Sequence, residues 1–317
     1  MTIRRHQGFV ARGTFTLTAN VSSSSNLVVR SLVGLVGGVV LLSSFVAWSR
    51  ASTSPLPVHV LCSRASFCDL VHQVGGAHVE VRTVDVSSPP TTSDTPASVV
   101  AEDVQWADVV VQNGAGLDGV LPSLETSSSS HALSVITADQ LVDPVSPGTQ
   151  LWWSPGAMQA LVTRVTTVLD TLRPASARSF QASALRVTAS LGGIDDSLAV
   201  FRRRYPGALI TSVTPVASTL VSLTGEVNDA PATLTSPTAW SEENSIIDAS
   251  KVRALLFDPT APASVDGPLL LRAAAAQVPV VAIYPSIPVG YSYETWIEAE
   301  IAAIVRAITT GISTPQL

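Results

Sequence analysis

The chain has 317 residues, 46% of them hydrophobic and 13% charged, which is apolar enough to build a sizeable core and excludes a disordered protein. Five of the 18 basic residues (Arg4, Arg5, Arg12, Arg30 and Arg50) precede position 52 and none of the 24 acidic ones does, so the remainder carries 13 basic against 24 acidic residues, a formal charge of −11. An acidic body does not track phosphates, and nucleic acid is thereby excluded as a partner.

The first element in chain order is the apolar run SLVGLVGGVVLLSSFVAW, residues 31–48, flanked by Arg30 and Arg50. Its length falls between a signal-peptide core and a membrane-spanning helix. Two readings stand: a signal cleaved after Ala51, which follows the small residue Ser49 at the required spacing, or an uncleaved anchor. Both keep the basic end in the cytoplasm and export the rest, so residues 1–51 are read as an export signal or membrane anchor. The Arg4-Arg5 pair lies far ahead of the apolar run and reads as an ordinary basic leader.

Residues 52–153 read as a first α/β lobe. VHVLC is a short buried strand, and SFCDLVHQVGG is a helix closed by Gly75 and Gly76. HVEVRTVDV alternates as a strand does; a Ser/Pro/Thr-rich loop, a helix at ASVVAEDVQWA and two further strands, DVVVQNG and LSVIT, follow. Strands separated by helices at this spacing predict a parallel, doubly wound sheet. Cys62 ends the first strand and Cys68 opens the helix after it; in an exported protein the pair is either a local disulfide or two buried thiols.

Residues 154–205 are helical. Ser154-Pro155 starts PGAMQALVTRVTTVLDTL, and the stretch from Pro174 to Tyr205 predicts a helix of about thirty residues, some 45 Å long, with a kink allowed at Gly192-Gly193. Residues 206–317 form a second α/β series: the strand GALITS, a helix-poor loop of about thirty residues, KVRALLFDP, the helix LLLRAAAAQ, VPVVAIYP, and a last helix at YETWIEAEIAAIVRAITTG. The fold class is therefore α/β, with two doubly wound parallel-sheet lobes joined by one long interlobe helix.

Gly114, Gly116 and Gly119 stand in dinucleotide-fingerprint spacing, and Asp139 lies twenty residues further on. The match is declined, because Pro122 and the serines after it leave little more than two turns for the crossover helix, and the strand is the third of its sheet and not the first. No nucleophile elbow, P-loop, H-E-x-x-H or paired-cysteine zinc spacing occurs, and the five histidines (His6, His59, His72, His78 and His131) are not at ligand spacing. The reading is of a protein that is not an enzyme.

Three segments in this order carry a resemblance: VHVLCSRASFCDLVHQVGGAHVEVRTV, WADVVVQNGAGLDGVLPSLE and LWWSPGAMQALVTRVTTVLDTLRPASARSFQ. Over roughly residues 57–310 the chain resembles the metal-specific solute-binding proteins of bacterial ABC importers, the zinc and manganese group. The resemblance implies one metal ion between the lobes, held by imidazoles and carboxylates from four loops. The His of the family's Asp-Pro-His segment falls at about Pro90, that of His-x-Trp-x-Asp-Pro on Gln150, that of Thr-Ser-His on Val213, and the Asp before a Pro on Tyr284. None of the four is an imidazole or a carboxylate, so no metal cofactor is expected in the family's manner. Pro90, Gln150, Trp152, Val213 and Tyr284 are the ligand-cleft candidates, with core packing as the competing reading for Trp152 and Trp296.

The leading expectation is an exported, extracytoplasmic binding protein that works with an ABC permease and an ATPase on an unknown small solute, associated with the membrane through residues 31–48 if that run is uncleaved. The alternative is a non-transport scaffold or interaction protein of the cell envelope, favoured by a filled interlobe cleft. A secreted enzyme is the third reading, and it lacks a catalytic constellation.

Overall fold

The computed structural model describes residues 56–86, 94–127, 132–206, 209–212, 220, 252–260 and 263–317. The export segment, Pro90, Val213 and most of the long loop after it lie outside the described residues.

The first sheet has four parallel strands: β1 (Val58–Cys62), β2 (Val79–Thr83), β3 (Val109–Gln112) and β4 (Ser134–Thr137), in the order β2-β1-β3-β4. Helices α1 (Ala65–Gly75), α2 (Ala97–Trp106) and α3 (Leu121–Ser127) connect them. The two central strands, β1 and β3, read as apolar runs because both of their faces are covered, whereas β2 and β4 at the edges are only partly buried. Val58, Val60 and Cys62 enter the main core on one face, while Leu61 joins Val84, Val100, Val104 and Val110 on the other. With β1 flanked by β2 and β3, the chain reverses its winding between β1 and β3, which puts the topological switch point outside the carboxyl ends of those two strands. Cys62 and Cys68 are joined by a disulfide there, with Cα atoms 5.6 Å apart.

Helix α4 (Pro155–Leu172) starts where Ser-Pro predicts: Ser154 is the cap, its hydroxyl accepts the Ala157 N–H at 3.3 Å, and Pro155 opens the first turn. Helix α5 (Ala177–Arg204) then runs 28 residues without a break. Gly192 and Gly193 do not end it, because the buried stripe Val187, Leu191, Ile194, Leu198 and Phe201 continues past them at helical spacing. Tertiary burial outweighs the roughly 1 kcal/mol that each glycine costs in a helix interior. Helix α5 packs on α4, α1 and the last helix, and so joins the two sheets.

The second sheet is parallel in the order β5 (Leu209–Ser212), β6 (Val252–Phe257) and β7 (Val280–Ala282). Helix α6 (Ala263–Ala275) begins six residues ahead of the LLLRAAAAQ stretch and contains Pro268. That proline is the sixth residue of the helix, just beyond the first turn, so few intrahelical bonds are lost. Helix α7 (Tyr293–Thr310) is fixed at both ends, by a capping box between Ser292 and Thr295 and by the left-handed Gly311 at φ 69°. One apolar cluster runs from Val60 of β1 through Leu161, Leu191 and Leu198 to Leu256 and Trp296, so the two lobes share a core.

Candidate functional site

The Gly-rich turn after β3 is built around two carboxylates. Asp118, only 3% exposed, accepts the Asn113 N–H through Oδ1 at 3.0 Å and the Gly114 N–H through Oδ2 at 2.6 Å. Asp139 accepts the Ala115 N–H at 2.7 Å and packs so tightly under Gly114, at φ +76°, that any Cβ there would collide with it. These side chains occupy the backbone donors that a pyrophosphate would need, which gives the fingerprint spacing a purely structural explanation. Helix α3 has seven residues, the two turns that the sequence allows.

Asn113, fully buried, ties this turn to the loop of Gln150. Its amide nitrogen donates to the Gly114 and Thr149 carbonyls at 2.9 and 3.0 Å, and its Oδ1 accepts the Leu151 N–H at 3.0 Å. The main chain is therefore held on both sides of Gln150. The Gln150 side chain is half-buried, and its Oε1 accepts the Trp153 indole N–H at 3.0 Å. This is the group standing where the resemblance places an imidazole; its oxygen is turned to an indole.

Trp152 and Trp153 are buried in the short helical turn Leu151–Trp153. Trp153 packs against Trp296 with ring centroids 4.7 Å apart, and Tyr293 meets Trp296 edge-on at 6.1 Å. The Tyr293 hydroxyl donates to the Trp152 carbonyl at 2.9 Å, and the Tyr293 N–H donates to Asp69 of α1 at 2.9 Å. Gln73 of α1 bridges Asp69 and Glu294 through one amide nitrogen, at 2.8 and 2.9 Å. An aromatic and polar seam thus fastens the first lobe to the start of α7. For Trp296 the structure shows core packing.

Tyr284 lies just past β7 and is half-buried. Its N–H donates to Glu300 Oε1 at 2.9 Å, and Trp296 Nε1 donates to the same oxygen at 3.1 Å. Glu300 Oε2 is sealed from solvent with no hydrogen-bond partner among the described residues. Burial pushes this carboxyl up to about 8, against the two hydrogen bonds that favour its charged form, so it is largely neutral at pH 7. Sequence reasoning missed it; the only available signal was an acidic residue on the apolar face of the last helix.

On the other side of the seam, at the switch point, lies Arg64. Its guanidinium sits 4.8 Å over the Trp152 ring, and its Nε is buried without a partner among the described residues. Burial pushes Arg64 down from its ordinary value, opposed by Asp118, Asp85 and Asp94 acting through space. Asp118 is pushed up by burial, with Ser63, the backbone N–H groups of Asn113 and Gly114, and Arg64 pulling it back. The Ser63 hydroxyl is close enough to act on Asp118 yet makes no well-aligned hydrogen bond. The segment that carries Pro90 is pinched at its base, where Asp85 and Thr95 exchange two hydrogen bonds, at 2.7 and 3.0 Å. Among the described residues no three His, Cys, Asp or Glu side chains converge as a metal site. The described histidines are placed elsewhere: His59 stacks on Trp106 at 4.4 Å, His78 meets Phe180 at 5.6 Å, and His72 is exposed.

The sequence model of the family described as "Zinc-uptake complex component A periplasmic" matches residues 60–307, most of the chain. The chain belongs to this family. It is a family of solute-binding proteins, and the match runs from within β1 to within α7, across both sheets and the long helix between them. Solved structures agree on the fold. The laminin-binding protein Lbp of Streptococcus pyogenes is similar at TM-score 0.67 and 15% identity, covering 80% of this chain and 100% of its own. The Zn(II)-bound ZnuA-like domain of Streptococcus pneumoniae AdcA gives TM-score 0.64 and 16% identity over 80% of this chain and 99% of that one. A Cd-bound periplasmic metal-binding protein from candidatus liberibacter asiaticus gives TM-score 0.65 and 18% identity over 79% and 99%. No curated protein matches the chain in sequence. At these identities the likeness shows the shared fold, and the site has to be read from this chain's own residues.

Proposed function

We propose that this member of the zinc-uptake component A family is the exported solute-binding component of a metal-type ABC importer, working with a permease and an ATPase, whose interlobe site does not bind zinc or manganese in the family's manner. The observation that carries this reading is the Gln150 amide, which stands at a ligand position with its oxygen engaged by Trp153 Nε1 at 3.0 Å. A neutral amide oxygen already shared with an indole is a weak donor for either metal. At Tyr284 the pattern repeats: a phenol stands where a carboxylate belongs, and the nearby Glu300 is buried and largely neutral. Residues 31–48 then serve as the export signal or as an anchor that keeps the protein on the outer face of the cytoplasmic membrane, and the chain has no catalytic task.

A second reading, a scaffold of the cell envelope that binds no solute, draws support from the seam in which Trp153, Tyr293 and Trp296 close the contact between the lobes. One experiment tests the loss of the metal site: titrating chelator-treated protein with zinc and manganese by calorimetry, with elemental analysis of the protein as purified. The expected result is no stoichiometric metal and no tight binding. Nanomolar binding at one ion per chain would overturn the proposal.

A further inference from the structure

The donors left without partners cluster around Arg64 and Trp152. Arg64 lies two residues past the end of β1, at the N-cap position of α1, so it stands at the switch point between β1 and β3, the place where open parallel sheets receive ligands. Among the described residues no carboxylate lies within ion-pair distance of it, although Arg82, an exposed arginine of β2, has Asp103 at 2.8 Å. The acidic group acting most strongly on Arg64, Asp118, gives one oxygen to the backbone N–H of Asn113 and the other to that of Gly114. Beneath the guanidinium lies the Trp152 ring, 4% exposed, whose Nε1 is buried and has no acceptor among the described residues. Nε1 belongs to the ring on which Arg64 stacks, so two donor groups without acceptors among the described residues, one of them charged, lie side by side.

A buried donor without an acceptor costs about 1–3 kcal/mol, and more when it is charged. A pair of them beside a switch point is explained by an acceptor that comes from outside the chain. We infer that Arg64 and Trp152 form an anion subsite that takes the carboxylate of a small organic solute, with the guanidinium fork and the indole N–H as its donors. A planar carboxylate matches the two parallel N–H vectors of an arginine that is pre-set by stacking on an indole. Asp118, Asp85 and Asp94 act on Arg64 from farther off, and their field favours a singly charged carboxylate over a phosphate dianion. The inference rests on the solute-binding reading above and names the class of solute: where its relatives are described as holding a cation, this chain presents donors for an anion.

The test uses the purified full chain, with thermal shift and tryptophan fluorescence as readouts. The probes are the twenty free amino acids, acetate and succinate, each beside its uncharged amide where one exists, and inorganic phosphate. At least one carboxylate is expected to raise the melting temperature by several degrees when present at about a hundred times its dissociation constant, while its amide does not. Arg64→Lys keeps the charge but loses the fork and is expected to weaken binding about tenfold; Arg64→Gln removes it. Trp152→Phe keeps the ring, deletes Nε1 and is expected to weaken binding several-fold, while Arg82→Gln leaves it unchanged. Response to phosphate alone, to no carboxylate, or an equal response in Arg64→Gln would overturn the inference. The metal titration separates the two claims: if neither zinc nor any carboxylate binds, only this inference falls, whereas tight zinc binding removes the reading beneath it.

Discussion

Asp118 beside the first sheet and Glu300 beside the second are both buried carboxyl groups at the carboxyl ends of parallel strands, and the chain treats them differently. Asp118 gives one oxygen to each of two backbone N–H groups and holds the turn after β3 in shape. Glu300 offers a single oxygen to two donors, Tyr284 N–H and Trp296 Nε1, while its other oxygen meets none among the described residues. Burial raises both, but only Glu300 is carried to about 8. A carboxylate met on both oxygens acts as a clamp. One met on a single oxygen is kept as a neutral acid, and its contribution to stability depends on pH.

The contrast can be broken most forcefully at Asp118. Asp118→Ala leaves two buried N–H donors without acceptors, and a loss of about 3–5 kcal/mol is expected in denaturant unfolding. The second test is pH. The folded value of Glu300, about 8, lies above its ordinary 4.5, so the folded state holds the extra proton between these values. The stability tied to that proton is fully present below about pH 4.5 and is lost as pH rises through about 8, by an amount on the order of 5 kcal/mol. Glu300→Gln, neutral at every pH, should flatten this slope and leave the variant more stable than wild type at pH 9; an unchanged slope would sink the assignment. The smallest effect is expected from Tyr293→Phe, which removes only the hydroxyl donated to the Trp152 carbonyl across the seam. About 1 kcal/mol should be lost, and a larger loss would mean that the lobes depend on this single bond.

Much of the framework could be read from the residues. The Ser154-Pro155 start of α4, the Gly311 end of α7 and the four strands of the first sheet are local signals, set by caps and by period, and the structure places them where those signals fall. The long helix was legible through its buried stripe, which carries it past Gly192-Gly193 without a break. The candidate site was legible only as positions. The resemblance assigns Gln150 to a ligand's place, but its bond to Trp153, three residues away, depends on side-chain direction. Asp118, Asp139 and Asn113 looked like an ordinary turn because their partners are backbone atoms, which leave no mark on composition. Arg64 and Glu300 escaped notice for a related reason: a charged residue next to a strand or on a helix reads as a surface group until burial is known.

The Asn113 amide has a consequence for how such a site changes over time. Because it holds the main chain at Thr149 and Leu151, the loop keeps its course whatever side chain stands between them. Position 150 behaves like a socket. The fitting there can be exchanged without rebuilding the wall around it, because the main chain on either side is held by Asn113 and not by the side chain at 150.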